Sequence, residues 1–239
     1  NAQLVQEGSA LAEQYKGRSV AEQNSVDLAW GLLMREEYSA LRTAICDDSP
    51  DELQRFRQLV VNIVMATDVL DKDLTELRSK RWEKAFTTTP NATSHDDQQH
   101  GDGDGDNTSE ESEKEATDRK ATIVLEHLIQ ASDVAHTMQH WHVYYKWNQR
   151  LFDEMYSAYL SGRSNKNPVD FWYDGEIAFF DSYVIPLAKK LRDCGVFGVS
   201  SDEYLNYALK NRDEWEARGE AVVEEFVRGF NQPAPESAP

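Results

Sequence analysis

Cysteine is nearly absent from this 239-residue chain: Cys46 and Cys194 are the only two. Two thiols cannot staple a small secreted scaffold, and their scarcity points to a reducing, cytoplasmic setting. Long apolar runs are also missing. The richest stretch, 59–70, is broken by Asn62, Thr67 and Asp68, so nothing is expected to span or contact a membrane directly. Basic residues are few, 25 Lys and Arg against 43 Asp and Glu, and no basic stripe interleaved with aromatics occurs. A nucleic-acid partner is therefore disfavoured. Alternating strand patterns and an opening signal peptide are lacking as well. The chain opens on Asn1 within helix-like sequence, and we expect an N-terminally truncated, C-terminal portion of a larger domain.

What the sequence does carry is helical periodicity and large side chains. Apolar residues make up 40%, with six Trp and ten Tyr to bury, which excludes global disorder. Ser49-Pro50-Asp51-Glu52 has an N-cap serine, a proline suited to the first turn and a capping-box glutamate. Leu53, Phe56, Leu59, Ile63, Leu70, Leu74 and Leu77 follow as one predicted helical stripe. Ser200-Ser201-Asp202-Glu203 repeats the box before Tyr204, Leu205, Ala208 and Trp215. Asn167-Pro168 opens a helix running through Trp172 and Phe179 to Leu187, with a kink expected at Pro186. Further helices fit 3–15, 19–44, 119–131 and 139–161, so the fold class is all-α.

Residues 87–118 break this pattern. They hold ten Asp or Glu against one Lys, a local charge of −9 that is half of the total −18. Without apolar periodicity the segment reads as a disordered surface loop, and 231–239 reads as a flexible tail. The remainder, 1–230, reads as one domain. Asp102 to Glu113 imitates a calcium-binding loop, with acidic residues at positions one, three, five, nine and twelve. Asn107 and Ser109 occupy positions that need glycine and a hydrophobe, which argues against that reading. Asn91-Ala92-Thr93 and Asn107-Thr108-Ser109 match the glycosylation pattern without a secretory signal beside them.

Three groups of residues could carry chemistry. Asp133 ends the apolar run Ile123–Ser132, where a carboxylate either has a cationic or metal partner or turns to solvent. His136 and His140 have the four-residue spacing that suits zinc, although Thr137 replaces the glutamate of a zinc-protease helix. A helix-entry histidine with surface neighbours is the competing reading. Trp147 with Leu151, and Glu176 with Phe179, share helix faces that could clamp a ligand or form core.

Together these segments resemble the class I cyclic-nucleotide phosphodiesterases. Val64-Met65-Ala66-Thr67-Asp68 resembles their LATD segment. Ala131-Ser132-Asp133-Val134-Ala135-His136, with Trp141 and Lys146-Trp147, resembles CADLSNP…W…RW. Glu176-Ile177-Ala178-Phe179-Phe180-Asp181 and Val184-Ile185-Pro186-Leu187 resemble QxxFID…VxPL. Tyr15, Ser19-Val20-Ala21-Glu22-Gln23-Asn24 and Leu32-Leu33 follow Y…SVLENHH…LL.

The resemblance implies an all-α HD-type hydrolase that converts cAMP or cGMP to the 5′-monophosphate, using zinc with magnesium or manganese. It makes Asp133 a metal ligand and gives Phe179 and Leu151 the purine clamp. Glu176 stands at the base-reading glutamine and His136 at a substrate-site asparagine. Asn24 and Ser25 replace two histidines of the family pattern. The HNxxH and HDxxH segments, with the general-acid histidine and the other metal ligands, are expected upstream of Asn1. The chain alone should then be inactive. Regulatory or membrane-anchored modules upstream are compatible with this reading. The alternative is a non-catalytic phosphodiesterase-like domain that binds nucleotide or serves as a scaffold.

Overall fold

Ser49 caps the helix predicted after it: its hydroxyl accepts the Glu52 N–H at 3.3 Å, with Pro50 in the first turn. A computed structural model of the chain describes residues 1–47, 49–87 and 106–231, and no strand occurs among them. Eleven α-helices are described. They are α1 Ala2–Gln6, α2 Ala10–Gln14, α3 Val20–Leu33, α4 Ser39–Cys46, α5 Pro50–Met65, α6 Lys72–Trp82, α7 Asp106–Asp133, α8 Trp141–Leu160, α9 Trp172–Phe179, α10 Ile185–Asp193 and α11 Ser201–Phe230. No described helix is long and apolar enough to cross a membrane. The described chain forms two compact units, Asn1–Gln130 and Ala131–Pro239.

Within the first unit several expected helices are divided, each for a local reason. The 3–15 helix stops at Gly8, whose φ of +61° no helix adopts, and Ser9 restarts it by accepting the Ala12 N–H. The 19–44 helix ends at Leu33, where Arg42 takes the carbonyls of Leu33 and Arg35 at 2.8 and 2.7 Å. The stripe expected to run on to Leu77 breaks between Met65 and Lys72. There Asp68 accepts the Leu70 N–H and Asp71 caps Leu74, so short carboxylates take amides that a helix needs.

Buried Arg78 closes that break by donating to the carbonyls of Met65 and Asp68. Gln130 on α7 donates to the Ala66 carbonyl at 2.9 Å, and Arg81 on α6 pairs with Glu126, only 2% exposed, at 2.8 Å.

The acidic segment is partly helical. Helix α7 begins at Asp106 rather than near 119, so 106–118 is not the disordered loop expected from composition. Its run Ser109-Glu110-Glu111-Ser112-Glu113-Lys114-Glu115-Ala116 is poor in hydrophobes but rich in good helix formers. A calcium loop over 102–113 is incompatible with helix from its fifth position onward. Residues 88–105, the remainder of the expected loop, and 232–239 of the expected tail lie outside the described residues.

The second unit is organised by aromatic packing. Tyr144 and Phe152 on α8, Phe180, and Trp215 and Phe226 on α11 are all fully buried. Phe152 meets Trp172 edge-on at 5.2 Å, and Tyr144 meets Trp215 edge-on at 6.0 Å. Buried Asn211 on α11 donates to the carbonyls of Thr137 and Gln139 at 2.9 and 2.7 Å, fixing the turn that precedes α8.

The expected capping-box hydrogen bond at Ser200 does not form. A 3-10 turn, Gly198–Ser200, runs straight into α11 and leaves Ser200 at ψ 6°, outside the extended cap geometry. The kink at Pro186 becomes a π-helical turn, Phe180–Val184, between α9 and α10. Proline offers no N–H to the Ser182 carbonyl, so the ladder rearranges just before it.

Candidate functional site

Helix α8 places its residues in two neighbouring stripes. Tyr144, Asn148 and Phe152 recur every fourth residue and are buried; Trp147 and Leu151, one step round, are 49% and 48% exposed. The buried stripe includes a phenol and an amide, which require partners inside the unit. Helix α9 supplies one of them. Tyr144 Oη donates to Glu176 Oε2 at 2.6 Å, and the Asn148 side chain also hydrogen-bonds Glu176.

Asn148 is oriented in turn by Trp172, whose indole N–H donates to Asn148 Oδ1 at 3.0 Å. That bond assigns the amide: its oxygen faces Trp172, leaving its N–H groups for Glu176.

The electrostatics follow from this cluster. Burial pushes the Glu176 carboxyl above the ordinary glutamate range, while the hydrogen bonds from Tyr144 and Asn148 oppose that rise. Tyr144 is held well above the usual tyrosine value by burial and then by the Glu176 charge, so its proton stays in place as a donor. Phe179 lies one turn beyond Glu176, half-buried, with its ring stacked on Tyr183 at 5.4 Å. Leu151 extends one turn beyond Asn148. The two clamp candidates thus project from the two helices that the Glu176 hydrogen bonds tie together.

His136 lies in a 3-10 turn, Ala135–Met138, and its ring runs nearly parallel to that of Tyr144 at 6.4 Å. Burial lowers its pKa, with the nearby Asp133 charge acting the other way. His140 belongs elsewhere: it precedes the first residue of α8, and its Nε2 meets Tyr207 Oη at 2.9 Å. The helix begins at Trp141, so the zinc-like spacing of the two histidines does not become a shared helix face.

Asp133, the last residue of α7, is exposed. Among the described residues no group of three or more His, Cys, Asp or Glu could hold a metal ion. A two-metal centre needs several such donors, so the described residues do not fit one on their own. Cys46 and Cys194 are free thiols.

The structure therefore brings Glu176 and Phe179 onto one short helix, ties Glu176 to α8, and sets His136 against the same tyrosine. It leaves Asp133 as a single carboxylate near His136. Sequence reading did not single out Tyr144, Asn148 or Trp172. The available signal was the polar residue within the 144/148/152 stripe.

Residues 1–196 match the family described as 3′5′-cyclic nucleotide phosphodiesterase. A Caenorhabditis elegans protein named "Probable 3′,5′-cyclic phosphodiesterase pde-3" is 25% identical over 227 residues, covering 90% of this chain and 29% of its own length. Two crystal structures share the fold. The phosphodiesterase domain of Salpingoeca rosetta rhodopsin phosphodiesterase has a TM-score of 0.61 and 18% identity, over 95% of this chain and 63% of that one. The phosphodiesterase domain of the RhoPDE fusion protein from the same choanoflagellate has a TM-score of 0.58 and 19% identity, over 95% and 64%. The chain thus spans less than two-thirds of these domains and under a third of the nematode protein. With its family match running from Asn1 across most of its length, the chain belongs to the 3′5′-cyclic nucleotide phosphodiesterase family.

Proposed function

We propose that this chain is the C-terminal portion of a catalytic domain and contributes the nucleotide-binding half of a cyclic 3′,5′-nucleotide hydrolase. The observation that carries the reading is Glu176. It is a half-buried carboxyl hydrogen-bonded from α8, the helix that also carries Leu151, and lies one turn from Phe179. In this reading Phe179 and Leu151 grip the purine, Glu176 meets its polar edge, and His136 borders the site beside Tyr144. Asp133 is one carboxylate of the metal site, and the zinc and magnesium or manganese expected for it require donors beyond those described. The domain works in signal transduction in the cytoplasm, free or tethered through upstream modules, and its two free cysteines suit that location.

The test extends the chain upstream to the length of the relatives' domains and assays metal content and cyclic-nucleotide hydrolysis, with and without Asp133→Ala. Turnover that disappears together with bound metal supports the reading. Turnover unaffected by the substitution removes Asp133 from the site.

A second reading is a domain that binds nucleotide or acts as a scaffold without hydrolysing anything. It is favoured by the lack of a metal-binding cluster among the described residues. Binding without turnover in the extended protein, with metals supplied, selects it.

A further inference from the structure

Helix α9 is strapped to α11 at both ends. At its start, Trp215 donates its indole N–H to the Tyr173 carbonyl at 3.1 Å, and Tyr173 Oη donates to the Glu216 carbonyl at 3.1 Å. Just past its end, Arg212 holds Asp181 with a two-pronged fork: Nε donates to Oδ1 at 3.0 Å and Nη2 to Oδ2 at 3.2 Å. Arg212 Nη1 donates to Glu216 one turn on, so the guanidinium is itself held from a second side. The neighbouring Asn211 is buried and donates to the carbonyls of Thr137 and Gln139, which gives the fork a fixed base on α11.

Asp181 lies in the π turn Phe180–Val184, and that turn sets the rotation of α9 relative to α10. Trp172, Phe180, Val184 and Ala188 are buried and fall on a four-residue repeat. In a straight α-helix such a stripe would slide about 40° round the axis at each step, since four residues exceed one turn. The wider π turn absorbs that drift. Relaxing it to an α turn would shift the register by one residue and carry Phe179 about 100° round, away from its place beside α8. Phe179 precedes Asp181 by two residues, roughly half a turn, so a carboxylate drawn to α11 sends the ring to the opposite side. The ring is backed by Tyr183 of the same π turn, at 5.4 Å with 18° between the planes.

On the cyclic-nucleotide site proposed above, and resting on that reading, we infer that the Arg212–Asp181 fork is a positioning device for the stacking ring. It holds the π turn in register and thereby fixes Phe179 against the base. Neither Arg212 nor Asp181 touches the nucleotide. The Asp181 side chain is 49% exposed, so the pair adds little to stability. What it supplies is orientation, because a bidentate fork fixes direction where a single point charge would not.

The experiment is a double-mutant cycle read in binding. The 239-residue chain is titrated calorimetrically with cAMP and with cGMP as wild type, Arg212→Gln, Phe179→Ala and the double variant. Arg212→Gln is expected to weaken binding roughly three- to fivefold, the upper range for an exposed ion pair expressed as affinity. Its far-UV circular dichroism should stay that of wild type. In the Phe179→Ala background the same substitution should change affinity by less than about twofold, because the ring it orients is gone. Asp181→Asn keeps the shape, loses the charge, and should follow Arg212→Gln as an independent variant. Equal weakening in both backgrounds would show a cation acting at a distance on an anionic ligand and would overturn the positioning role. Wild-type affinity in Arg212→Gln and Asp181→Asn would overturn it as well, and both outcomes leave the nucleotide site standing. Binding of neither nucleotide by wild type, or unchanged affinity in Phe179→Ala, overturns the site reading and the inference with it.

Discussion

Tyr144 and Glu176 lie thirty-two residues apart on different helices, and one 2.6 Å hydrogen bond joins them inside the second unit. The tyrosine is fully buried and the glutamate half-buried, so this polar contact within an aromatic core is costly to leave unmade.

Tyr144→Phe keeps the ring and removes the donor. Its cost should be about 1–3 kcal/mol, the range for a buried partner of a charged group. Urea unfolding of the two proteins measures it. A change below the error of the method would mean that Glu176 finds another donor.

Stability should also depend on pH through Glu176. Its folded-state carboxyl titrates above the ordinary glutamate value, so between those two values the folded chain holds a proton that the unfolded chain has released. The contribution is fully present below the unfolded value and is lost as pH rises through the folded one. Thermal melts across the acid-to-neutral range should show wild type losing stability relative to Glu176→Gln as pH rises. A difference that stays flat, or runs the other way, contradicts the assignment.

Gly219 on α11 tests how tightly the core beneath the site is packed. A Cβ there would lie 2.8 Å from a ring carbon of Trp215 and 2.9 Å from Tyr173. Trp215 is fully buried and donates its indole N–H to the Tyr173 carbonyl at 3.1 Å, so it has little room to move. Alanine favours the helix by about 1 kcal/mol, but overpacking costs about 1–3 kcal/mol. Gly219→Ala should therefore be destabilising on balance, read as a lower urea midpoint. A higher midpoint would mean that the rings yield.

In the first unit, Arg81→Ala should cost about 3 kcal/mol, because it strands the Glu126 carboxylate. Glu126 is 2% exposed and keeps two contacts to Arg81 Nη1, at 2.8 and 3.2 Å. Removing the charge as well, in the double variant with Glu126→Gln, should recover part of the loss. A double variant no more stable than the single one would show that burial of charge is not the cause.

The sequence made the all-α class and the principal helices legible, because Ser49-Pro50 and the apolar stripe Leu53, Phe56, Leu59 and Ile63 are local signals. It misplaced helix breaks where single side chains decide them. Asp68 and Asp71 divert amides between α5 and α6, and Gly8 and Arg42 end helices that periodicity would continue. The start of α7 was hidden for the opposite reason: composition without apolar periodicity reads as loop, yet its glutamates and alanine favour helix.

For the site, resemblance named Glu176 and Phe179. The network that orients Glu176 could not be read, since it joins residues 144, 148, 172 and 176 across helices. Periodicity reports which face is buried; it does not report which buried amide meets which carboxylate.

The most direct measurement is calorimetric titration of wild type and Phe179→Ala with a cyclic 3′,5′-nucleotide, alongside a circular dichroism check that the variant is folded. Wild type should bind, and loss of the stacking ring should weaken binding by roughly tenfold, as expected for removing an aromatic platform from one base. Equal affinity in a folded Phe179→Ala variant would contradict the placement of the nucleotide between α8 and α9.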